Sequence, residues 1–269
     1  MTDSIDWLVF DLGGVLVDVA PPADTLTDLA ARSDTAVERL APLLRERFTA
    51  RPFSLAERFQ VGELDARAFH AALNRELTTP LDFDTLTAAL ERMLRGEKTD
   101  TAALVARLGR CHRLACYSNT NAVHWRYIAR EFGFFAHLDR AFASQEVGYA
   151  KPDPRGFAAV AAALGAAPGA CLLIDDRRIN VEGARAAGWQ ALVFHDATAL
   201  EADLAHPALL EPARREEAPE LRRQRPDRVA AEPHRRPHLA DRALAAVMDH
   251  RGAEPRPVPA VALVDVLDH

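Results

Sequence analysis

Lysine and cysteine are both scarce in this chain of 269 residues. Two lysines, Lys98 and Lys151, stand against 31 arginines, so a retained lysine is a candidate for a role that needs its compact charge. The three cysteines, Cys111, Cys116 and Cys171, lack the spacing of a metal site, and the last two lie in apolar runs. We therefore expect reduced core cysteines in a cytoplasmic protein rather than a disulfide framework.

Long apolar runs and an excess of positive charge are also missing. No run approaches the roughly 20 apolar residues of a membrane-spanning helix, which excludes such a helix. The formal net charge of −6 lacks the basic footprint of a general nucleic-acid binder. The acidic segment Met1–Asp6 leads directly into an apolar strand, which predicts that no secretory signal is present. We expect a cytoplasmic protein with neither a nucleic acid nor a membrane as partner.

Short apolar strands alternate with helices over much of the chain. After an apolar run near the N-terminus, the predicted strands are Arg113–Ser118, Ala170–Asp175 and Gln190–Phe194. The predicted helices between them are Asn121–Phe132, Pro154–Leu164 and Val181–Ala187. This alternation is typical of βαβ units, so the predicted fold class is α/β with a Rossmann-like parallel sheet.

Two segments depart from this alternation. Residues 19–99 show helical spacing of apolar residues and predict a helical cap, inserted after the first strand of a core formed by 1–18 and 100–206. Residues 207–269 hold nine of the 17 prolines and no Phe, Tyr or Trp. Such a composition buries little apolar surface, so this tail is predicted to be disordered or loosely docked.

The first chemical motif is an apolar run, Trp7–Phe10, that leads straight into Asp11 and two glycines, Gly13 and Gly14. The run is typical of a strand buried on both faces of a parallel sheet, and open α/β sheets bind ligands at the carboxyl ends of their strands. Glycine allows a sharp turn close to a ligand. Asp11 is a candidate nucleophile or metal ligand, although the same residue types also form helix caps and turns.

The second motif follows the next predicted strand of the core. That strand ends in Ser118 and Asn119, and Asn121 begins the following helix. Hydroxyl and amide donors at the N-terminus of a helix can bind an anion. Taken alone, these residues favour the structural alternative, which is plain capping of the helix by serine or asparagine.

The third motif is Lys151-Pro152-Asp153-Pro154. Asp153 is the predicted N-cap and Pro154 the first residue of a helix. Lys151 lies just before this helix and is a candidate phosphate contact, while the alternative is a surface residue ahead of a helix that begins with proline.

The fourth motif places two carboxylates, Asp175 and Asp176, at the end of another apolar strand. Neighbouring carboxylates repel each other unless a cation lies between them or one is protonated. Carboxylate oxygens of this kind suit Mg²⁺, which binds through a few carboxylates, water and a substrate phosphate. Capping by aspartate remains the structural alternative.

Parallel strands bring the four motifs to one edge of the sheet. An aspartate nucleophile, a hydroxyl group, a lysine and a Mg²⁺ site together predict phosphoryl transfer. Asp11 would attack phosphorus and form an aspartyl-phosphate, which water would hydrolyse. Mg²⁺, Lys151 and donors near Ser118 would hold the phosphoryl oxygens.

In this order the motifs resemble those of the haloacid dehalogenase (HAD) superfamily of hydrolases, in the subfamily I type whose helical cap follows the first strand. The matching segments are Phe10–Asp18, Tyr117–Asn121, Lys151–Pro154, Ile174–Asp176, Asn180–Ala184 and Ala187–Gly188. The resemblance covers about residues 5–205. Receiver domains of two-component systems share the aspartyl-phosphate chemistry, but there the acidic pair comes first and the lysine last.

The resemblance implies a Mg²⁺ cofactor and its ligands. Asp11 would be both nucleophile and metal ligand, and the backbone carbonyl of Gly13 would be a second contact. Asp176 would be the main carboxylate ligand of the last motif, with Asp175 in support.

The resemblance also implies a small phosphorylated metabolite as substrate. Ser118 and Lys151 would act in catalysis and, with Asn119 and Gly14, bind the phosphoryl oxygens.

One residue departs from the usual family pattern. Most phosphatases of this superfamily have an aspartate, which serves as general acid and base, where this chain has Gly13. General acid–base catalysis is typically worth about 10²–10⁴-fold, so we expect slow turnover, a preference for better leaving groups, or a proton from water or another side chain. Asp18 is close in sequence, but a turn or cap-hinge role fits it better. A subgroup that resembles bacterial α-glucose-1-phosphate phosphatases shares this glycine, which favours a sugar phosphate.

Two other functions compete with a phosphatase. A dehalogenase-type carbon–halogen hydrolase uses the same aspartate nucleophile without metal, but normally has an aromatic residue at the position of Gly13 and less acidity in the last motif. A catalytically weak binding or regulatory protein would keep the pocket without turnover. The cap carries no motif that identifies a leaving group or an oligomeric state.

Overall fold

The structure is a computed structural model that describes residues 4–48 and 51–205. Within these residues the strands are β1 (Trp7–Phe10), β2 (Val17–Val19), β3 (Leu94–Glu97), β4 (Arg113–Ser118), β5 (Arg140–Ala143), β6 (Cys171–Asp175) and β7 (Gln190–Val193). Five of them form one sheet in the order β5-β4-β1-β6-β7, and every pairing in it is parallel. The predicted α/β class with a parallel Rossmann-like sheet is confirmed.

Strand β1 lies in the middle of the sheet because its four residues are apolar and both of its faces are covered. Leu8 and Phe10 belong to one buried cluster, while Trp7 and Val9 belong to another. Alternate side chains of a strand point to opposite faces, so a continuous apolar run is what two covered faces require. The run therefore fixes Asp11, the next residue, at the carboxyl edge of the sheet.

Helices cover the sheet and build the inserted segment. They are α1 (Pro22–Ser33), α2 (Val37–Leu44), α3 (Leu55–Gln60), α4 (Ala66–Asn74), α5 (Phe83–Glu91), α6 (Thr99–Leu108), α7 (Ala122–Glu131), α8 (Ser144–Val147), α9 (Pro154–Leu164), α10 (Arg178–Ala186) and α11 (Ala197–Leu204). The first five lie between β2 and β3, which pair antiparallel as a two-stranded ribbon. This ribbon of β2 and β3, which we call the hinge ribbon, connects the helical insertion to the sheet domain, and Asp18 lies in it opposite Gly96.

The inserted helices have their own apolar core, which includes the stacked rings of Phe59 and Phe69. This core also takes in Val123 of α7, so the insertion packs on the sheet domain through that helix. His124 of the same helix lies 3.0 Å from the carbonyl oxygen of Leu90 in α5 through Nε2, while Nδ1 lies 3.1 Å from the side-chain amide of Asn121. Burial lowers the pKa of His124 to about 4, so the neutral ring joins the two units at ordinary pH.

The local predictions and the structure agree for two elements and differ for a third. Strand β4 and helix α9 have the predicted bounds, and the side chain of Asp153 caps α9 by accepting a hydrogen bond from Arg155 N at 2.9 Å. Helix α10 begins three residues before the predicted start at Val181. The reason is that the carboxylate of Asp175 accepts a hydrogen bond from the backbone N–H of Arg177 and so supports the first turn.

Several features outside the site also bear on the sequence predictions. Cys116 and Cys171 are buried free cysteines, whereas Cys111 is exposed. In the part of the chain that the structure describes, no helix combines the length and apolar character needed to cross a membrane. The predicted tail at 207–269 lies outside the described residues.

Candidate active site

Asp11 lies at the carboxyl end of β1 and is 7% exposed. Its Oδ1 accepts a hydrogen bond from Leu12 N at 2.7 Å and lies 3.0 Å from Nζ of Lys151. Burial raises the pKa of Asp11 to about 7, with Lys151 lowering it and Asp175 raising it. The carboxyl group of Asp11 is therefore held through Oδ1. Additional positive charge in the site would favour its ionised form.

Lys151 lies between two carboxylates and is 1% exposed. Its Nζ is 2.6 Å from Oδ2 of Asp175, in addition to its contact with Asp11. Burial would lower the pKa of Lys151, but the two carboxylates outweigh this and raise it above its usual value. The interpretation of Lys151 as a surface residue is wrong, because its ammonium group is enclosed in the site.

Asp175 is fully buried, and most of its hydrogen-bonding capacity is used within the protein. Besides Lys151, it accepts hydrogen bonds from Arg177 N at 2.9 Å and from the side-chain amide of Asn180 at 3.0 and 3.1 Å. These contacts join β6, α10 and Lys151 into one network. The geometry suits Asp175 to orient Lys151 and the following loop.

Asp176, the next residue, is exposed to a cavity and approaches the glycine turn after Asp11. Burial, followed by the charge of Asp175, raises the pKa of Asp176. A Cβ atom added to Gly14 would lie 2.3 Å from Oδ2 of Asp176, and Gly14 has φ +78°. Gly14 is therefore required both by the left-handed backbone and by the close approach of this carboxylate.

The three carboxylates form a group whose ligand atoms all lie within 4.8 Å of one another. The donor set fits Mg²⁺, which prefers oxygen ligands and takes few carboxylates. Three carboxyl groups face one lysine ammonium group here, so a divalent cation would relieve their mutual repulsion. Asp11 and Asp176 would hold the ion with the backbone of Gly13, while Asp175 is committed to Lys151 and Asn180.

We expect Gly14→Ala to weaken Mg²⁺ binding by about 10–100-fold, the range found when groups that orient metal ligands are changed. The added methyl group would push Asp176 away and strain a left-handed backbone. Calorimetric titration with Mg²⁺ measures the affinity. Gly165→Ala is the matched control, because Gly165 has φ +66° but an added Cβ there meets no atom within 4 Å. Equal Mg²⁺ affinity in both variants would contradict the assignment.

Lys98, the second lysine, also reaches the turn after Asp11. It directly follows β3, and its Nζ donates a hydrogen bond to the carbonyl oxygen of Gly14 at 2.8 Å. Its backbone N–H donates to the carbonyl oxygen of Leu16 at 2.9 Å. Lys98 therefore ties the end of the hinge ribbon to the turn that carries Gly13 and Gly14. The scarcity of lysine pointed to this residue, but local sequence did not assign it a contact.

The Ser118 motif separates into two parts in the structure. Asn121 caps α7, since its side chain accepts hydrogen bonds from Val123 N and His124 N at 3.0 Å each. Ser118 is not the cap; it is a buried residue that lines the cavity at the end of β4. Asn119 exchanges two hydrogen bonds, of 2.7 and 2.8 Å, with the backbone of Lys151. Its amide thus positions Lys151.

A cavity of about 830 Å³ lies between the inserted helices and the edge of the sheet. Asp11, Ser118 and Asp176 line it, together with residues of the insertion. Polar insertion residues on its wall, Glu46 and Gln60 among them, were missed by sequence reasoning because no local pattern marks them. All the predicted site residues, Asp11, Gly13, Gly14, Ser118, Asn119, Lys151, Asp175 and Asp176, meet at this edge of the sheet.

Curated relatives match over short stretches. The chain is 50% identical over 54 residues to Phosphatase MT3486 of Mycobacterium tuberculosis (strain CDC 1551 / Oshkosh), which is 20% of this chain and 25% of that protein. It is 41% identical over 69 residues to Flavin mononucleotide hydrolase 1, a chloroplast protein of Arabidopsis thaliana, which is 26% of this chain and 28% of that one. The chain thus spans about a quarter of the length of these relatives.

Solved structures resemble the fold over a longer range. A HAD family enzyme from Bacteroides thetaiotaomicron, in complex with magnesium and inorganic phosphate, has a TM-score of 0.62 and 22% identity, covering 73% of this chain and 99% of that one. The L-2-haloacid dehalogenase of Xanthobacter autotrophicus has a TM-score of 0.51 and 19% identity, covering 77% and 85%. At these identities the likeness concerns the fold alone.

The family follows from a match over most of the chain. The sequence-family model of the haloacid dehalogenase-like hydrolases matches residues 5–188. A second family model, of HAD-hydrolase-like proteins, matches residues 148–231. The first match includes all four motifs, whose residues meet at the carboxyl edge of the sheet. The chain therefore belongs to the haloacid dehalogenase-like hydrolase family.

Proposed function

We propose that this protein is a Mg²⁺-dependent phosphatase that hydrolyses a small phosphorylated metabolite through an aspartyl-phosphate. The observation that carries the proposal is the grouping of Asp11, Asp175 and Asp176 around Lys151 at the ends of β1 and β6. A carboxylate nucleophile beside a lysine and further carboxylates supports transfer of a phosphoryl group, whose charge needs cationic partners. The Mycobacterium relative, named a phosphatase, agrees with this choice.

In the first step Asp11 supplies the attacking oxygen. Its Oδ1 is held by Leu12 N and Lys151, which directs the other oxygen, Oδ2, to the substrate. A bond forms between Oδ2 and phosphorus while the bond from phosphorus to the leaving-group oxygen breaks. That oxygen takes a proton from water, which gives an aspartyl-phosphate and an alcohol. Lys151 and the hydroxyl group of Ser118 bind the phosphoryl oxygens during the transfer.

In the second step water attacks the aspartyl-phosphate, which releases inorganic phosphate and restores the carboxylate of Asp11. Bound Mg²⁺ would supply positive charge to the phosphoryl oxygens in both steps. Asp175 keeps Lys151 in place throughout, since its carboxylate lies 2.6 Å from Nζ. Gly13 offers no proton, so we expect slow turnover of substrates whose leaving groups are poor.

Two classes of leaving group fit different observations. A sugar agrees with the likeness of the glycine motif to the α-glucose-1-phosphate phosphatase subgroup. A larger, partly apolar group agrees with the cavity of about 830 Å³ and its apolar wall, which includes Leu26, Phe59 and Met93. Flavin mononucleotide, the substrate in the name of the Arabidopsis relative, represents this second class.

Phosphate release tests the proposal directly. The substrates are p-nitrophenyl phosphate, α-glucose 1-phosphate, ribose 5-phosphate and flavin mononucleotide, each with Mg²⁺ or with EDTA. We expect release with Mg²⁺, loss of release in EDTA, and recovery when Mg²⁺ is restored in excess. Phosphate release that persists in EDTA would contradict a metal-dependent phosphatase.

A dehalogenase is the second candidate because one structural neighbour carries that name. The acidic pair Asp175 and Asp176 disfavours it, since a metal-free reaction gains nothing from a carboxylate that faces the cavity. Chloride release from 2-chloropropionate in EDTA, without any phosphate release, would favour the dehalogenase. Binding of Mg²⁺ and phosphate with no turnover of either substrate class would favour a binding or regulatory protein.

A further inference from the structure

Glu46 belongs to the inserted segment and lines the same cavity as Asp11. Apart from Thr25, Arg45 and Gln60, the wall on the side of the insertion is largely apolar and includes Leu44, Phe59, Phe69 and Met93. A few well-placed polar groups in an apolar cavity are what orient a small ligand and determine specificity. Glu46 is therefore a candidate for such a group.

The backbone after Glu46 is held by the buried carboxylate of Glu57, and the backbone before it by the hydroxyl group of Ser54. Glu57, 3% exposed, accepts hydrogen bonds from Arg47 N and Phe48 N at 2.7 Å each and from Ser54 N at 2.8 Å. Burial would raise the pKa of Glu57, but these amide hydrogen bonds outweigh it and lower the pKa. The hydroxyl group of Ser54 donates to the carbonyl oxygen of Arg45 at 2.6 Å. A ligand thus meets a carboxyl group on a preorganised loop.

Gln60 connects Glu46 to the sheet domain. Its side-chain amide donates to Oε1 of Glu46 at 2.5 Å, and its backbone carbonyl accepts a hydrogen bond from the hydroxyl group of Ser144 at 2.6 Å. Ser144 in turn accepts a hydrogen bond from Thr120 N at 2.9 Å, two residues after Ser118. Glu46 is therefore tied through Gln60 to the loop that follows β4.

Glu46 and Gln60 both have side-chain oxygens that can accept further hydrogen bonds within the described residues. Oε1 of Gln60 is buried with no hydrogen-bond partner there, and the carboxyl group of Glu46 receives one hydrogen bond, from Gln60. A carboxylate can accept about four. Glu46 itself is exposed on the cavity wall, so its free acceptor positions are open to whatever occupies the cavity. A ligand that donates hydrogen bonds would replace water at this carboxyl group.

We propose that Glu46, held by Gln60 on the wall of the cavity that Arg177 also lines, binds a hydroxyl group of the leaving group and so selects hydroxyl-bearing phosphate esters. A hydroxyl group can donate to the carboxylate and accept from the guanidinium group of Arg177, which lines the same cavity next to Asp176. An ammonium group could pair only with Glu46 and a carboxylate only with Arg177, whereas a neutral hydroxyl group can contact both. The inference rests on the proposed phosphatase and assigns part of its specificity to this chain's own residues.

Matched pairs of substrates test the inference, because each pair differs in hydroxyl groups and shares an alkyl leaving oxygen. The pairs are glucose 6-phosphate with cyclohexylmethyl phosphate, and ribose 5-phosphate with pentyl phosphate, in which every leaving oxygen is on a primary carbon. For the hydroxyl-bearing member that the wild type prefers, Glu46→Ala is expected to lower kcat/KM by about 10–100-fold, mainly through KM, as for loss of a hydrogen bond to a charged group. Glu46→Gln, which keeps an acceptor oxygen, is expected to lose less.

The hydroxyl-free substrates and p-nitrophenyl phosphate are the internal controls, and their kcat/KM should stay within about twofold. Glu38→Gln is the matched control variant, because Glu38 is an exposed carboxylate of α2 that does not line the cavity. Equal losses on all substrates, no loss on any, or a wild type with no preference for hydroxyl-bearing esters would each overturn the inference. Those three results would not contradict the proposed phosphatase activity. Absence of Mg²⁺-dependent phosphate release from every substrate would overturn both proposals.

Discussion

Replacement of Asp11 by Asn is expected to lower kcat for phosphate release by about 10⁴- to 10⁶-fold, the order of loss when an enzyme is deprived of its covalent nucleophile or of that nucleophile's activating partner. The amide has nearly the same shape and still offers an oxygen, but it cannot attack phosphorus to form an acyl-phosphate. The measurement is single-turnover phosphate release at saturating Mg²⁺, together with trapping of phosphate on the protein by acid quench. Only the wild type should retain covalently bound phosphate after the acid quench.

Asp6→Asn is the matched control for this variant, since Asp6 and Asp11 directly precede and follow β1. Asp6 is exposed at the opposite end of the strand, so its replacement should leave kcat within about twofold. We also expect Asp11→Asn to unfold at the same or a higher temperature than the wild type. Its carboxylate is buried beside Asp175 and Asp176, and such functional groups are often held at the expense of stability. A variant that keeps a tenth of the wild-type rate would show that Asp11 is not the nucleophile.

The sequence predicts the strands that carry the chemistry because their signals are local. The apolar residues before Asp11 and before Asp175 each require a strand with both faces covered, and the ends of such strands in a parallel sheet must meet. Pro154 and its cap, Asp153, mark the start of α9 for a reason that is equally local. Three strand ends and one helix start were therefore enough to predict which side chains converge.

Contacts between distant segments could not be predicted in the same way. Lys98 and Gly14 are 84 positions apart, and their hydrogen bond depends on how the hinge ribbon returns to the sheet. Strand β5 is a short edge strand that begins with an exposed arginine, so it carries neither the alternation nor the apolar run of a typical strand. Glu46 and Gln60 meet only after two helices of the insertion have packed. Tertiary packing, rather than a local pattern, decides each of these.

The largest effect on stability is expected from Lys151→Met. This change removes the ammonium group that lies 3.0 Å from Asp11 and 2.6 Å from Asp175, and leaves two buried carboxylates without it. Breaking a buried ion pair by removing one partner destabilises a protein by about 3–5 kcal/mol. Denaturant unfolding in EDTA at pH 7 measures the difference. Added Mg²⁺ should reduce this difference in the free energy of unfolding, because an ion that binds the folded state supplies the missing positive charge.

The pH dependence of this variant distinguishes lost charge from lost packing. The pKa of Asp11 is already raised to about 7, and it should rise further without Lys151. The folded variant then binds more protons than the unfolded chain between the ordinary carboxyl pKa near 4 and the raised value, so its stability increases as the pH falls from 7 towards 5. The wild type shows the same increase below pH 7, so the two proteins differ in bound protons only above it. The difference in the free energy of unfolding should therefore shrink as the pH falls from 9 to 7. A difference that stays constant over that range would mean that packing, not charge, is what Lys151 provides.

Lys98→Met supplies the matched comparison, because the chain's other lysine undergoes the same change a short distance away. Lys98 is partly exposed and donates one hydrogen bond, to the carbonyl oxygen of Gly14, which water can replace. Its loss should therefore lower the free energy of unfolding by about 1 kcal/mol, by the same amount at pH 7 and pH 9, since no carboxylate lies within ion-pair distance of its Nζ among the described residues. Equal effects of the two substitutions would contradict the assignment of Lys151 as the charge that makes a buried carboxylate nucleophile tolerable.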